Sequence, residues 1–183
     1  MSNTGLSPET ATRLGKLSRL GRWIAALSLT GLLAYGLYLA LTPTELRAVL
    51  NRGLPGSPND PSGLGLALAA FAAAIPGGIF AAILALVWKV FQRTGSGNFL
   101  DAAFARLLRW LGWLAVASGI ASIICHSLVS LLMTKDNPPG QKMLLVEISS
   151  SQVAALIMGV LFFMFTHIIA EMMRLDEDNR SII

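Results

Sequence analysis

Hydrophobic and polar positions alternate in long blocks along this chain. Four apolar stretches are separated by short polar segments, and they cover residues 23–41, 63–88, 110–133 and 149–172. Each stretch is close to the roughly 20 residues that an α-helix needs to cross a hydrocarbon core about 30 Å thick. The pattern therefore predicts an all-α membrane protein with four transmembrane helices.

Composition supports the same class and limits the domain organisation. The chain of 183 residues is 54% hydrophobic and only 13% charged, about half the charged fraction of an average soluble domain. Its longest polar segments are too short to bury a core of their own. We therefore expect an amphipathic N-terminal segment (1–22), one transmembrane domain (23–172) and an acidic tail (173–183), without a separate soluble domain.

The fourteen Lys and Arg residues predict an orientation. Ten of them lie before the first span, between the second and third spans, or after the fourth, whereas loops 42–62 and 134–148 hold the other four. The positive-inside rule then places both termini and loop 89–109 in the cytoplasm. The basic pI of about 9.7 follows from this topology and from anionic lipid, so it does not indicate direct binding of nucleic acid.

The first apolar stretch does not resemble a cleavable signal peptide. It is long for the apolar region of such a peptide, and it ends in YLALTPTE without an A-x-A-like cleavage site. We expect it to remain as a membrane helix. The single cysteine, Cys125, lies inside the third span, so an intrachain disulfide is excluded.

Three polar segments carry helix signals. Ser7 followed by Pro8 is a typical helix start, and Asn98 with Asp101 three residues later forms a second one. In the first outer loop, residues 44–52 can form a short helix before Gly53. The amphipathic patterns predict short interfacial helices that anchor the protein at the membrane surface.

A weak internal repeat is visible at an offset of 90 residues. It aligns KLSRLGRWIAALS (16–28) with RLLRWLGWLAVAS (106–118). If the match reflects a duplication, the protein consists of two parallel hairpins related by an axis along the membrane normal. Chance similarity between low-complexity apolar segments explains the match equally well.

Small residues and one proline indicate where the helices have special geometry. Small residues recur every three or four positions on the third and fourth spans, which favours close helix packing: Gly112, Ala115, Gly119 and Ser122, and Ala155 and Gly159. Pro76, Gly77 and Gly78 interrupt the second span. They predict a helix kink, which is either a packing feature or one wall of a substrate site.

Two histidines are the ionisable residues of greatest interest in the spans. His126 belongs to a polar face with Ser122 and Ser130, and we expect it to be a hydrogen-bonded interior side chain. His167 is expected to form an interfacial pair with Glu171. The predicted spans place the two histidines about 12 Å apart in depth, so they are poor candidates for shared haem or metal ligation within one chain.

The remaining ionisable residues do not form an active-site pattern. Titratable groups do not converge at one depth, so we expect no catalytic residues, no cofactor and no metal site. The tail carries a cluster of charges that forms either a docking peptide for a soluble partner or a solvated terminus. These candidate contact residues are Asp176, Glu177, Asp178 and Arg180.

The segment FQRTGSGNFLDAAFARLLRWLGW (91–113) resembles the entry to the third helix of a bacterial membrane family called domain of unknown function 2975. The ending EMMRLDEDNRSII is similar to the acidic close of that family. Two departures are Ser96-Gly97-Asn98, where the family often has Gly-Asn alone, and Leu100, where it has a small residue.

The resemblance implies a bacterial inner-membrane protein that acts by interaction. Genes of this family often neighbour a small helix-turn-helix regulator, which suggests a membrane partner or a sequestering or sensing factor for that cytoplasmic regulator. The acidic tail and loop 89–109 are then the expected contact surfaces. Two alternatives stay open: a small oligomeric transporter or channel that uses Pro76 and the polar face, and an accessory subunit of a larger membrane complex.

Overall fold

A computed structural model of the chain describes residues 8–52, 54, 61–95, 101–138 and 141–180. The described residues contain helices and no strand, which confirms the predicted all-α class. The helices are α1 (Pro8–Leu41), α2 (Pro43–Asn51), α3 (Gly63–Gly95), α4 (Ala102–Thr134) and α5 (Ser150–Arg180).

Four of these helices are long and apolar enough to cross a membrane. The candidate spans are Gly15–Leu41, Gly63–Gly95, Ala102–Thr134 and Ser150–Leu175. Large apolar side chains on them are exposed, such as Leu27 at 68% and Phe71 at 70%. Because a soluble surface rarely carries such extensive apolar patches, these faces are suited to lipid. The protein is therefore a multi-pass helical membrane protein.

The polar segments differ from the expected set of separate interfacial helices. The short helix predicted after the first span is present as α2, and α1 begins at Pro8 as predicted. However, the amphipathic residues before the first and third spans are continuous with α1 and α4. Residue Asp101 precedes α4 and accepts a 3.2 Å hydrogen bond from Ala103 N–H, whereas the predicted caps Ser7 and Asn98 lie outside the described residues.

The chain divides into two compact units, each built from parts of several helices. Unit 1 contains Met1–Thr30, Ala82–Val116 and Leu156–Ile183, and unit 2 contains Gly31–Ala81 and Ala117–Ala155. Neither unit corresponds to one hairpin of the proposed duplication. The internal repeat therefore stays a prediction.

In unit 1, the small residues of α4 and α5 meet as predicted. A Cβ atom added at Gly159 would lie 2.6 Å from Val116 Cγ2 and 3.1 Å from the carbonyl oxygen of Gly112. Next to this contact, the rings of Trp113 and Phe163 pack edge to face, with centroids 5.3 Å apart. In lipid the hydrophobic effect does not drive helices together, so close packing of the two backbones stabilises the contact between α4 and α5 instead.

The same unit joins α1 to α3 through two more small residues. A Cβ atom added at Gly21 would lie 2.6 Å from the ring of Phe91, and one at Gly95 would lie equally close to Ser18 Oγ. Ser18 is 2% exposed, and its hydroxyl donates to the carbonyl oxygen of Phe91. A buried polar side chain is thus satisfied across the helix contact.

Unit 2 has an apolar core that includes α2. Leu50 of α2 packs with Ala69 and Ala72 of α3 and with Val129 and Met133 of α4. The short helix is therefore packed against two spans through its apolar face. This contact defines one side of the cavity described below.

The start of α3 is tied to the segment after α4. Ser62 Oγ accepts a 3.3 Å hydrogen bond from Gly65 N–H, while Ser62 N–H donates to Asp136 Oδ2 at 2.8 Å. Hydrogen bonds from Ser62 to this carboxylate, first from its backbone N–H and then from its side chain, lower the pKa of Asp136 below its ordinary value. The carboxylate therefore completes the helix cap from a distant part of the chain.

We expect Gly159→Ala to destabilise the protein. The added methyl group would overlap Val116 and approach backbone atoms of α4, and overpacking of this kind costs about 1–3 kcal/mol. The measurement is thermal unfolding in a mild detergent, monitored by tryptophan fluorescence.

Gly36→Ala is the matched control, because among the described residues no atom outside its own stretch of helix backbone lies within 4 Å of the added Cβ. This change should be neutral or stabilising by about 0.5–1 kcal/mol through the helix preference of alanine. Equal unfolding temperatures for the two variants would contradict close packing at Gly159.

Candidate functional site

In unit 2, polar side chains follow one face of α4 at four-residue spacing. The series Ser122, His126, Ser130 and Thr134 lies on successive turns of the helix. Ser130 is 0% exposed and Thr134 is 1% exposed. The sequence predicted the first three of these residues as a face, and the structure adds Thr134 at its end.

The non-helical residues 141–149, which we call the strap, lie against this face. Met143 N–H donates to Thr134 Oγ1 at 3.1 Å, and Leu145 N–H donates to Ser130 Oγ at 3.0 Å. Two residues of extended chain cover about 6.6 Å and four helical residues cover about 6 Å, so each step along the strap matches one turn of α4. The strap therefore doubles back beside the helix.

Sequence reasoning assigned residues 134–148 to an outer loop and did not identify the strap. A signal was present in the sequence. Every second residue of the strap is exposed, and the residues between them contact α4: the exposed fractions of Leu144, Val146 and Ile148 are 63%, 66% and 68%. This period of two is typical of an extended segment with two different faces. It was missed because the segment is short and follows the polar, proline-rich residues 134–142.

Gln152 attaches the beginning of α5 to α4. Its side chain is buried, and Oε1 accepts a 2.6 Å hydrogen bond from Ser149 N–H, while Nε2 donates to Ser122 Oγ at 3.3 Å. Sequence reasoning missed this residue. The S-x-x-Q spacing of Ser149 and Gln152 is that of a capping box and could have identified it.

A cavity of about 210 Å³ lies where this polar face meets α2 and α3. The structure thus brings the predicted polar face and the predicted kink site to one place. Its lining includes Arg52, Pro76, Ser122, Cys125, His126 and Ser130.

His126 differs from the expected hydrogen-bonded histidine. Its Nε2 atom is buried without a hydrogen-bond partner among the described residues, and Glu147 Oε2 of the strap lies 3.7 Å away. This distance is too long for a hydrogen bond and gives an ion pair only when the imidazole is protonated. In the part of the structure that is described, His126 lacks the expected hydrogen bond because the strap places the Glu147 carboxylate opposite it. The backbone N–H groups of the strap instead meet the hydroxyls on the next two turns of α4.

The hydroxyl groups of the cavity are not equally available to a ligand. Ser130 Oγ donates to Ser127 O at 2.8 Å and accepts from the strap, so both of its functions are used. Ser122 accepts from Gln152, and within the described part of the chain its proton has no acceptor. Together with His126 and the guanidinium of Arg52, this arrangement is suited to a small polar or anionic solute.

The second predicted set of ionisable residues lies on α5. In the described part of α5, Glu171 Oε1 lies 3.8 Å from Arg174 Nη1, one turn away. The predicted interfacial pair of His167 and Glu171 stays a prediction. Arg174 is also on the exposed surface and competes for the carboxylate at i,i+3 spacing.

The other candidate residues that the sequence predicted are Pro76 with its neighbouring glycines and the charged tail. Helix α3 continues through Pro76, Gly77 and Gly78 without interruption, so the proline does not end the helix, and the kink stays a prediction. The tail residues from Asp176 to Arg180 belong to α5, but their side chains lie outside the described part of the structure. Groups of three or more His, Cys, Asp or Glu that could hold a metal do not occur among the described residues.

The fold and the cavity define a multi-pass helical membrane protein with a small polar site inside unit 2. Over residues 55–183, the sequence matches the family described as protein of unknown function (DUF2975). The match covers more than half of the chain, so the chain belongs to this family, as the resemblance indicated. No curated protein and no solved structure matches the chain.

The position of the strap predicts a pattern of thiol reactivity. In a Cys125→Ser background, Ile148→Cys should react with a maleimide at least about tenfold more slowly than Lys142→Cys in membranes. Burial against lipid suppresses the thiolate at residue 148, and one pKa unit corresponds to tenfold in thiolate fraction.

Both cysteines should react at similar rates after denaturation in sodium dodecyl sulfate, which controls for intrinsic reactivity. If Ile148→Cys reacts in membranes as fast as Lys142→Cys, residues 141–149 form an ordinary aqueous loop and the placement of the strap beside α4 is contradicted.

Proposed function

We propose that this protein acts in the bacterial inner membrane by interaction, as a membrane partner or a sequestering or sensing factor for a cytoplasmic transcriptional regulator. The observation that carries the proposal is the length of α5. The helix continues to Arg180, past the apolar stretch 149–172 that the sequence assigns to the fourth span. A helical extension outside the apolar span offers a preorganised docking segment, which lowers the entropic cost of binding.

The proposed orientation places this extension in the cytoplasm together with the N-terminus. It rests on the uneven distribution of basic residues, because ten of the fourteen lie in the three segments assigned to that side. The sequence of the extension, DEDNR, is mainly acidic. Anionic lipid repels such a segment, so it is available to a soluble partner with a basic surface.

The cavity in unit 2 supports a sensing role. Ser122 lines the cavity and also accepts the hydrogen bond from Gln152 at the start of α5. A solute that donates a hydrogen bond to Ser122 Oγ would compete with this bond. Binding would then change the capping of α5, the same helix that carries the proposed docking segment. The proposal includes no catalytic step.

The test is co-purification of the full-length protein with any small helix-turn-helix regulator that is encoded beside its gene. Neutralising the acids with Asp176→Asn, Glu177→Gln and Asp178→Asn should weaken the complex about tenfold, because three exposed charge pairs at about 0.5 kcal/mol each give this factor. Affinity can be measured with the membrane protein in nanodiscs.

A chain ending at Arg180 is the control, since it retains the acids and loses only the last three residues. It should bind like the full-length protein. Unchanged affinity of the neutralised variant would remove the tail from the interface, and absence of any complex with the wild-type protein would contradict the regulator proposal itself.

A second candidate function is a small oligomeric transporter or channel. The specific observation in its favour is that Pro76 and the polar residues Ser122, His126 and Ser130 line one cavity. Because the guanidinium of Arg52 belongs to this lining, a small anion is the appropriate first probe. Reconstituted protein should then admit iodide into vesicles that contain a halide-quenched dye.

His126→Ala should abolish this influx, whereas Ser127→Ala should retain it, because the Ser127 hydroxyl donates to Ile123 O within its own helix. Influx through the wild-type protein that does not exceed that of empty vesicles would rule out anion transport as its function.

A further inference from the structure

A second, larger groove lies in unit 1, between the end of α3 and the beginning of α4. Its volume is about 500 Å³, more than twice that of the cavity in unit 2. The side chains that line the groove are a mixture of basic, polar and apolar groups. They include Lys89, Gln92, Arg93, Arg106, Leu107 and Trp110.

The basic residues of the groove are not equivalent. Arg93 Nη1 lies 2.9 Å from Asp101 Oδ2, and this carboxylate also caps α4. Lys89 and Arg106 are exposed and form no ion pair with any residue that the structure describes. The groove therefore presents two cations whose charge is not compensated by a described carboxylate.

The groove also has an apolar component at the level where a membrane interface is expected. Trp110 is 60% exposed, and Trp88 precedes Lys89 on α3. Tryptophan is enriched at the headgroup level of membranes, and basic residues that flank a span extend their charge toward the same level. Leu107 adds an aliphatic surface beside the cations. A ligand that matches both parts needs a phosphate group and an acyl chain.

We propose that this groove binds the headgroup phosphate of an anionic phospholipid. Lys89 and Arg106 pair with the phosphate, while Trp110 and Leu107 contact the glycerol backbone and the first acyl carbons. Zwitterionic lipids bind less well because their ammonium group brings a positive charge toward the same two cations. The proposal depends neither on the cytoplasmic regulator nor on which side of the membrane the groove faces.

The experiment is native mass spectrometry of the full-length protein with phosphatidylglycerol or phosphatidylcholine in mixed micelles. The wild-type protein should retain phosphatidylglycerol preferentially. Lys89→Gln with Arg106→Gln should reduce this preference about 30-fold, about fivefold for each cation. The control Lys16→Gln with Arg19→Gln removes the same charge from α1, outside the groove, and should keep the preference.

Further measurements test whether the glutamine variant loses binding through its charge and not through misfolding, and whether the ligand is a lipid. The charge-preserving variant Lys89→Arg with Arg106→Lys should bind like the wild type, and the preference of the wild-type protein should decrease as salt is raised. Equal retention of the two lipids by the wild type, or an unchanged preference in the glutamine variant, would overturn the proposal. Displacement of phosphatidylglycerol by millimolar inorganic phosphate would also overturn it and reassign the groove to a soluble anion.

Discussion

The requirement that backbone polar groups find partners inside the protein governs this structure. A hydrocarbon environment supplies no hydrogen bonds, so a segment that is not helical needs donors and acceptors from its neighbours. The strap meets this need at two points through the buried hydroxyls of Thr134 and Ser130. Those two hydrogen bonds hold the non-helical strap beside α4.

The same requirement separates structural polar residues from those available for function. Ser130 and Gln152 have their donors and acceptors occupied by the strap and by neighbouring helices, whereas Nε2 of His126 lacks a hydrogen-bond partner among the described residues. Because unsatisfied buried polar groups are costly, such an atom beside a cavity points to a ligand or a water molecule. The residues that hold the fold thus position the residue available for binding.

Helix contacts inside unit 1 follow a different principle. Gly112 and Gly159 allow two backbones to approach within van der Waals distance, and Ser18 supplies a hydrogen bond across another close contact. Packing of this kind is specific because its geometry tolerates little change. At the end of the same unit, Lys89 and Arg106 are left without described partners because the nearby carboxylate of Asp101 is already used by Arg93.

The sequence by itself determined the class of protein, the four spans, the short helix α2, the small-residue contact of α4 with α5 and the polar face through His126. Hydropathy and residue spacing depend on local composition, so one chain suffices to predict them. Only the tertiary structure decided that Glu147 returns to His126 and that Gln152 bonds to Ser122. Those outcomes depend on which side chain comes within about 3–4 Å, and packing between distant segments sets that distance.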